Sequence, residues 1–341
     1  MIGPLADRVA TRLMAAPRRM PEEAGMAAAL DALGGEVVRL RARDGVRLTG
    51  RWLIADPGAG EPGSEDAHGA GDADADADAG AEDAADAGAD AGPWVPDPHE
   101  AIILLHGWSG SVTPDLLEHA PYLRRTAGVL GLDFRGHGGS DDGPTTFGLL
   151  EVEDVAGALA WLGERGVTRV ALMGSSMGGI TAIASAVVLG DGRLPAADVD
   201  PDAPAAPGPP PRPRIVGIVG DSVPPELAVV VAGRMGMPFG RAIANRAFGR
   251  MAGRVGGDPR GTQPIAVVGL LEDLPLLLVH GAADRTVPIR DGRRLAATAP
   301  PGTRHLVIEG ADHGRAHATD PARYEAEVTA HLRAALRATR T

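Results

Sequence analysis

The sequence predicts an α/β domain on a mostly parallel sheet, and three observations carry that expectation. Short, wholly apolar runs recur at Ala101–Leu105, Val129–Leu132, Val170–Met173, Ile215–Val219 and Leu276–Val279, the pattern of strands covered on both faces. Helical stretches separate some of them, as where Val152, Val155, Leu159 and Leu162 share one face; strands alternating with helices make a parallel sheet. A chain of 341 residues, 44% of them hydrophobic, has ample material for a buried core, enough for one large domain or two small ones.

The elements follow in chain order. Residues 1–35 read as an N-terminal helical extension. From Met1 to Ala29 the chain mixes Arg, Pro and Glu with no uninterrupted apolar stretch, so it is expected to be neither a signal peptide nor a membrane span. A domain over 36–340 then opens with Val38, Leu40 and Ala42 alternating with polar residues up to Asp44-Gly45, and continues with Val46, Leu48 and Trp52. That is an antiparallel hairpin with an expected type I′ turn. An acidic insertion over 56–99 follows. Its centre, Glu61–Gly92, holds 11 Asp and Glu and no Arg, so the remainder of the chain carries −12 + 11 = −1. Like charges among Ala and Gly cannot build a core, and the segment is expected to be disordered. A Pro-rich loop over 191–213 has the same character. The final helix opens at Asp320-Pro321, a cap followed by a favoured first position.

Absences narrow the chemistry. There is no cysteine, which excludes disulfides, thiolate metal sites and cysteine nucleophiles. All 33 basic residues are arginine, so chemistry that needs an ε-amino group is excluded too: the Walker P-loop, pyridoxal Schiff bases and serine–lysine dyads. Few aromatic residues and a net negative charge argue against nucleic acid as a partner. Val170–Gly190 is uncharged over 21 residues, but Gly174-Ser175-Ser176-Met177-Gly178-Gly179 breaks its middle. It suits a strand, a turn and a helix better than a membrane span. No stable membrane anchor is expected, and a cytoplasmic location is.

In such a sheet ligands bind beyond the carboxyl ends of the strands. After Val170–Met173 stands Gly174-Ser175-Ser176-Met177-Gly178, a G-x-S-x-G pattern. Small residues let the chain turn sharply from strand into helix and expose a strained serine. A serine hydroxyl needs a positioned base. The best candidate is His313, in Gly310-Ala311-Asp312-His313-Gly314 after the alternation His305–Ile308. His137 is a weaker alternative; His106 and His280 read as structural strand-end residues, and His68, His99, His119, His317 and His331 as surface ones. The base in turn needs an anion. Asp284 is favoured, with Asp221 as the rival and otherwise a turn-capping residue; Asp312 reads as a loop residue. Ser176…Asp284…His313 is the serine–acid–histidine order of a known hydrolase architecture. Two backbone N–H groups can stabilise an oxyanion, that of Met177 after the serine and that of Trp108 after His106-Gly107.

At these residues the sequence resembles the α/β-hydrolase superfamily, nearest its bacterial esterase, monoacylglycerol-lipase-like and serine-aminopeptidase-like branches. The resemblance runs from about Glu36 to Leu336, and Asp133-Phe134-Arg135-Gly136-His137-Gly138-Gly139-Ser140 matches the loop after the fourth strand. It implies an eight-stranded sheet, a helical lid after the sixth strand over 224–261, and catalytic roles for Ser176, Asp284 and His313. Serine at the elbow, in place of aspartate, disfavours epoxide hydrolase and haloalkane dehalogenase chemistry. The expected activity is hydrolysis of a carboxylic ester on a small-molecule acyl substrate, through an acyl-enzyme and with no metal or organic cofactor. An amidase, peptidase, thioesterase or acyltransferase could use the same site, and a non-catalytic binding protein is the alternative of another class. Within the lid, Ala244, Ala247, Phe248, Met251 and Val255 fall on one helix face, with Arg246, Arg250 and Arg254 on the other. Phe248 and Met251 are the expected outer wall of an acyl pocket whose inner wall includes Trp108.

Overall fold

The computed structural model of the protein describes residues 2–15, 25–58, 94–108, 110–190, 212–235 and 240–338. Eight strands form one sheet in the order β1-β2-β4-β3-β5-β6-β7-β8. They are β1 (Glu36–Arg41), β2 (Arg47–Leu53), β3 (Glu100–Leu105), β4 (Gly128–Leu132), β5 (Arg169–Ser175), β6 (Arg214–Asp221), β7 (Leu276–Gly281) and β8 (Arg304–Ile308). The first two are antiparallel to their neighbours, and every pairing among β3 to β8 is parallel. All five wholly apolar runs are strands, and β3, β4 and β7 are buried at every position.

The helices, in chain order, are α1 (Ile2–Met14), α2 (Met26–Leu33), α3 (Thr113–Leu123), α4 (Glu151–Gly163), α5 (Met177–Leu189), α6 (Leu227–Met235), α7 (Gly240–Val255), α8 (Pro264–Val267), α9 (Ile289–Thr298), α10 (Ala316–Thr319) and α11 (Pro321–Ala338). Two apolar clusters separate by strand parity, as the two-residue alternation of a sheet requires. Ile103, Leu105, Leu130 and Leu172 pack towards α4, α5, α6 and α7. Ile102, Leu104, Val129 and Met173 pack towards α3 and α11. At the start of α11 the Asp320 carboxylate accepts the Arg323 N–H at 3.1 Å, a side-chain N-cap.

The hairpin turn differs from expectation. Gly45 N–H donates to Ala42 O at 2.9 Å, and within the turn Gly45 alone has positive φ, at 95°. A type I′ turn needs positive φ at both central residues, and a non-glycine residue rarely adopts it. Asp44 does not, so the loop is a turn closed by a left-handed glycine, as in a bulged hairpin.

The acidic insertion and the Pro-rich loop lie outside the described residues over 59–93 and 191–211, as does His68. The ends of the acidic segment are described and are packed. Asp56 pairs with Arg124 at 3.5 Å, and the Trp94 indole N–H donates to Thr126 O at 2.9 Å. Among the described residues no helix is long and apolar enough to cross a membrane.

Asp44 also serves a buried ion cluster that fastens the hairpin to the body. The Arg135 guanidinium, 3% exposed, meets Asp154 at 2.7 Å and Asp44 at 2.7 Å, and Asp154 is fully buried. Removing one partner of such a cluster strands a desolvated charge. Asp154→Ala is therefore expected to cost about 3–5 kcal/mol of unfolding free energy. Denaturant titration checks this, and a loss below about 1 kcal/mol would show that water reaches the guanidinium.

Candidate active site

The elbow forms because glycine is the one residue that fits beside its serine. A Cβ on Gly174 would lie 2.3 Å from the carbonyl carbon of Gly178, and one on Gly178 would lie 2.0 Å from Leu105 O. Strand β5 and helix α5 thus meet without a spacer, and Ser176 is left between them at φ 50°, ψ −106°. That is a strained conformation for an L-residue. Ser176 N–H donates to Asp221 O at 2.8 Å, which ties the turn to the end of β6.

Three side chains from three strand ends converge there. His313, on the loop after β8, has Nε2 3.1 Å from Ser176 Oγ and Nδ1 2.8 Å from Asp284 Oδ2. Asp284, in the turn after β7, accepts the N–H groups of Thr286 and Val287 on Oδ1 at 2.8 and 2.7 Å. With Oδ1 occupied, Oδ2 is left for the imidazole. A carboxylate on Nδ1 fixes the tautomer in which Nε2 accepts a proton. The arrangement can therefore deprotonate the serine hydroxyl and stabilise the resulting imidazolium. Met177 begins α5, where a backbone N–H has no intrahelical acceptor. Trp108 follows β3 and lines the same cavity.

The other candidates are committed elsewhere. The Asp221 carboxylate accepts Ser222 Oγ–H at 2.8 Å and the Tyr324 hydroxyl at 3.0 Å, and burial raises its pKa from the ordinary value. It is neither the partner of His313 nor the turn cap it was expected to be, because the hydroxyls of Tyr324 and Ser222 reach it first. Ser222 Oγ in turn accepts Gly314 N–H at 3.0 Å, bracing the loop that carries His313. Asp312 accepts the N–H groups of Arg285 and His313, as a loop residue would.

His137 is buried with Nδ1 2.9 Å from Arg135 O, and burial lowers its pKa. His106 accepts the Phe134 N–H on Nε2 at 3.1 Å, and burial pushes it down to about 3. His280 donates to Val287 O at 2.7 Å. The surface assignment fails for His119 and His331, which are buried. His119 stacks on Tyr324 at 5.7 Å, and His331 meets Ile218 O at 3.0 Å. His317 is half-buried between Glu118 and Glu325, while His99 is exposed. Among the described residues no group of three or more His, Asp or Glu is arranged to hold a metal ion.

Ser176 and His313 open into a cavity of about 510 Å³. Its walls are mostly apolar, and an aromatic series runs along them. Trp108 lies 5.7 Å from Phe147, and Phe147 lies 6.3 Å edge-on from Phe248. Phe248 lines the cavity as expected. Met251 does not; one turn further along α7 it is fully buried in the core.

Sequence reasoning missed two contributors. Phe147 adopts φ 56° in a loop held by the buried Glu151, which accepts the N–H groups of Thr146 and Gly148 at 2.7 and 2.8 Å. No local pattern announces it. Helix α1 supplies Val9, Arg12 and Leu13 to the cavity and packs on α7, where Arg254 donates to Thr11 Oγ1 at 2.8 Å and Arg250 meets Asp7 at 3.6 Å. Here a signal was present, since Ala6, Ala10 and Leu13 are buried at helical spacing.

Comparison with known proteins bears on the fold. An esterase of Pyrococcus furiosus superposes with a TM-score of 0.61 at 19% identity, covering 94% of this chain and 98% of its own. An esterase of Exiguobacterium antarcticum gives 0.52 at 14% identity, covering 87% and 99%. At these identities the likeness is one of fold. A family model described as the alpha/beta hydrolase family matches residues 102–327, a span that holds Ser176, Asp284 and His313, and on that match the chain belongs to the alpha/beta hydrolase family.

Proposed function

We propose that the protein is a serine hydrolase that cleaves carboxylic esters through an acyl-enzyme. The observation that carries this reading is the single imidazole bridging Ser176 Oγ at 3.1 Å and Asp284 Oδ2 at 2.8 Å. Ser176 Oγ attacks the ester carbonyl as His313 Nε2 takes its proton. The N–H groups of Met177 and Trp108 receive the oxyanion. His313 then protonates the leaving alkoxide, and water, deprotonated by the same imidazole, releases the acid. Asp284 holds the tautomer throughout. No step calls for a metal or an organic cofactor.

The apolar cavity supports an apolar acyl or alkyl arm, each buried methylene contributing about 0.8 kcal/mol. A panel of p-nitrophenyl esters of graded chain length, with matched thioesters and anilides, tests the reading. Esters are expected to turn over, with kcat/KM rising along the series until the cavity is full. Turnover of anilides alone would make the enzyme an amidase.

The two lid positions separate in the same assay. Phe248→Ala removes cavity wall and is expected to move the preferred chain length upward. Met251→Ala leaves a hole in the core and is expected to cost about 2–5 kcal/mol of stability without moving that preference. A shift of chain length in Met251→Ala would place the pocket differently.

A further inference from the structure

Among the described residues the cavity over Ser176 has one permanently charged side chain in its wall, and the reaction above does not use it. Arg12 of α1 lines the cavity mouth, among Val9, Leu13, Trp108, Phe147 and Phe248. Among the described residues no aspartate or glutamate shares that lining. Asp7 on the same helix and Glu226, next to the lining residues Pro224 and Leu227, are each paired with other arginines. Asp7 meets Arg250 and Arg254 at 3.6 and 3.9 Å, and Glu226 meets Arg241 and, at 2.7 Å, Arg294. Among the described residues the Arg12 guanidinium has neither an ion pair nor a hydrogen bond.

Its helix is also fixed in place. Besides the contacts of Asp7 and Thr11 with α7, Met14 O accepts Thr145 N–H at 3.2 Å, beside the loop that carries Phe147. The guanidinium is therefore presented to the cavity by a braced element. It is exposed at the mouth, so it stays hydrated until a ligand arrives.

We propose that Arg12 is a specificity-determining residue that selects esters carrying a carboxylate at the far end of their apolar arm. The inference rests on the serine-hydrolase reading, whose Ser176 fixes one end of the bound substrate. An apolar arm lying along the aromatic wall brings its distal end towards α1. A guanidinium there can take a carboxylate through two parallel N–H···O bonds. Apolar surroundings strengthen that pairing relative to bulk water. A neutral arm of the same length gains nothing from the charge.

The test uses alkyl fluorophosphonates of short, medium and long chain, each paired with a counterpart ending in a carboxylate. The second-order rate of Ser176 labelling is measured for both members of each pair. At the chain length that spans the cavity, the carboxylate probe is expected to react roughly 10-fold or more faster, as a charge-assisted hydrogen bond allows. Arg12→Gln is expected to collapse that ratio towards unity, and Arg12→Lys to restore part of it. A ratio of two rates cancels any general loss of activity, and the thermal midpoint of each variant reports folding. Equal rates for both probes at every length, or a preference that survives Arg12→Gln, would overturn the proposal while leaving the serine-hydrolase reading intact. Failure of every probe to label Ser176 would overturn that reading, and this inference with it.

Discussion

Ser176→Ala is expected to lower kcat by about 10⁶-fold, the loss found when a nucleophile–base unit is broken in comparable hydrolases. The change removes only Oγ. The strained turn that presents it is set by Gly174 and Gly178, whose close approaches leave no room for a Cβ, so the variant should keep its fold and its cavity. Substrate binding should survive, because the apolar walls are untouched, and the loss should fall on kcat with little change in binding. The residual rate would come from the oxyanion donors alone. Steady-state kinetics on the best ester of the panel, with a thermal midpoint as the folding control, measure the effect. A variant within about tenfold of the parent would remove Ser176 from the reaction.

Asp284→Asn is expected to cost less, on the order of 10⁴-fold in kcat, and the reason is visible in the hydrogen bonds. Oδ1 accepts two backbone N–H groups, from Thr286 and Val287. An asparagine must keep its carbonyl oxygen there, so its amide N–H₂ takes the place of Oδ2 and faces His313 Nδ1. The imidazole then has to accept on Nδ1 and carry its proton on Nε2, where it can no longer take one from Ser176. The geometry survives and the tautomer is wrong. Asp221→Asn is the control, since the Asp221 carboxylate bonds Ser222 and Tyr324 and not His313. If Asp221→Asn were the more damaging of the two, the acid would be misassigned.

Much of this site is legible in the sequence because its signals are local. A strand that must turn at once into a helix needs glycine at fixed spacing, and a wholly apolar run of four or five residues marks a strand covered on both faces. Ser176 and Asp284 each stand beyond such a run and His313 beyond the alternation His305–Ile308, and the chain order alone brings them to one end of a parallel sheet. What escaped depends on contacts between distant segments. The stripe Ala244–Met251 was visible as a face of α7, but not what would cover the arginines opposite. Asp7 and Thr11 of α1 meet Arg250 and Arg254, and that docking brings Arg12 to the cavity.

Met251 and Phe248 share a helix face, and only their heights along α7 decide which borders empty space. Phe147 owes its place to the hydrogen bonds of the buried Glu151, a tertiary arrangement with no sequence period. The hairpin turn was misread because Asp-Gly fits two turn types, and the backbone chose the one that spares Asp44 a positive φ.

The most direct test of the central claim is to find where an activated-serine probe attaches. Treating the intact protein with a fluorophosphonate and mapping the digest by mass spectrometry locates the modified residue. A single adduct on Ser176, formed faster than hydroxide-level chemistry permits and slowed strongly in His313→Ala and Asp284→Asn, is the result predicted here. An unmodified Ser176, or an adduct on it whose rate is indifferent to His313, would contradict the account.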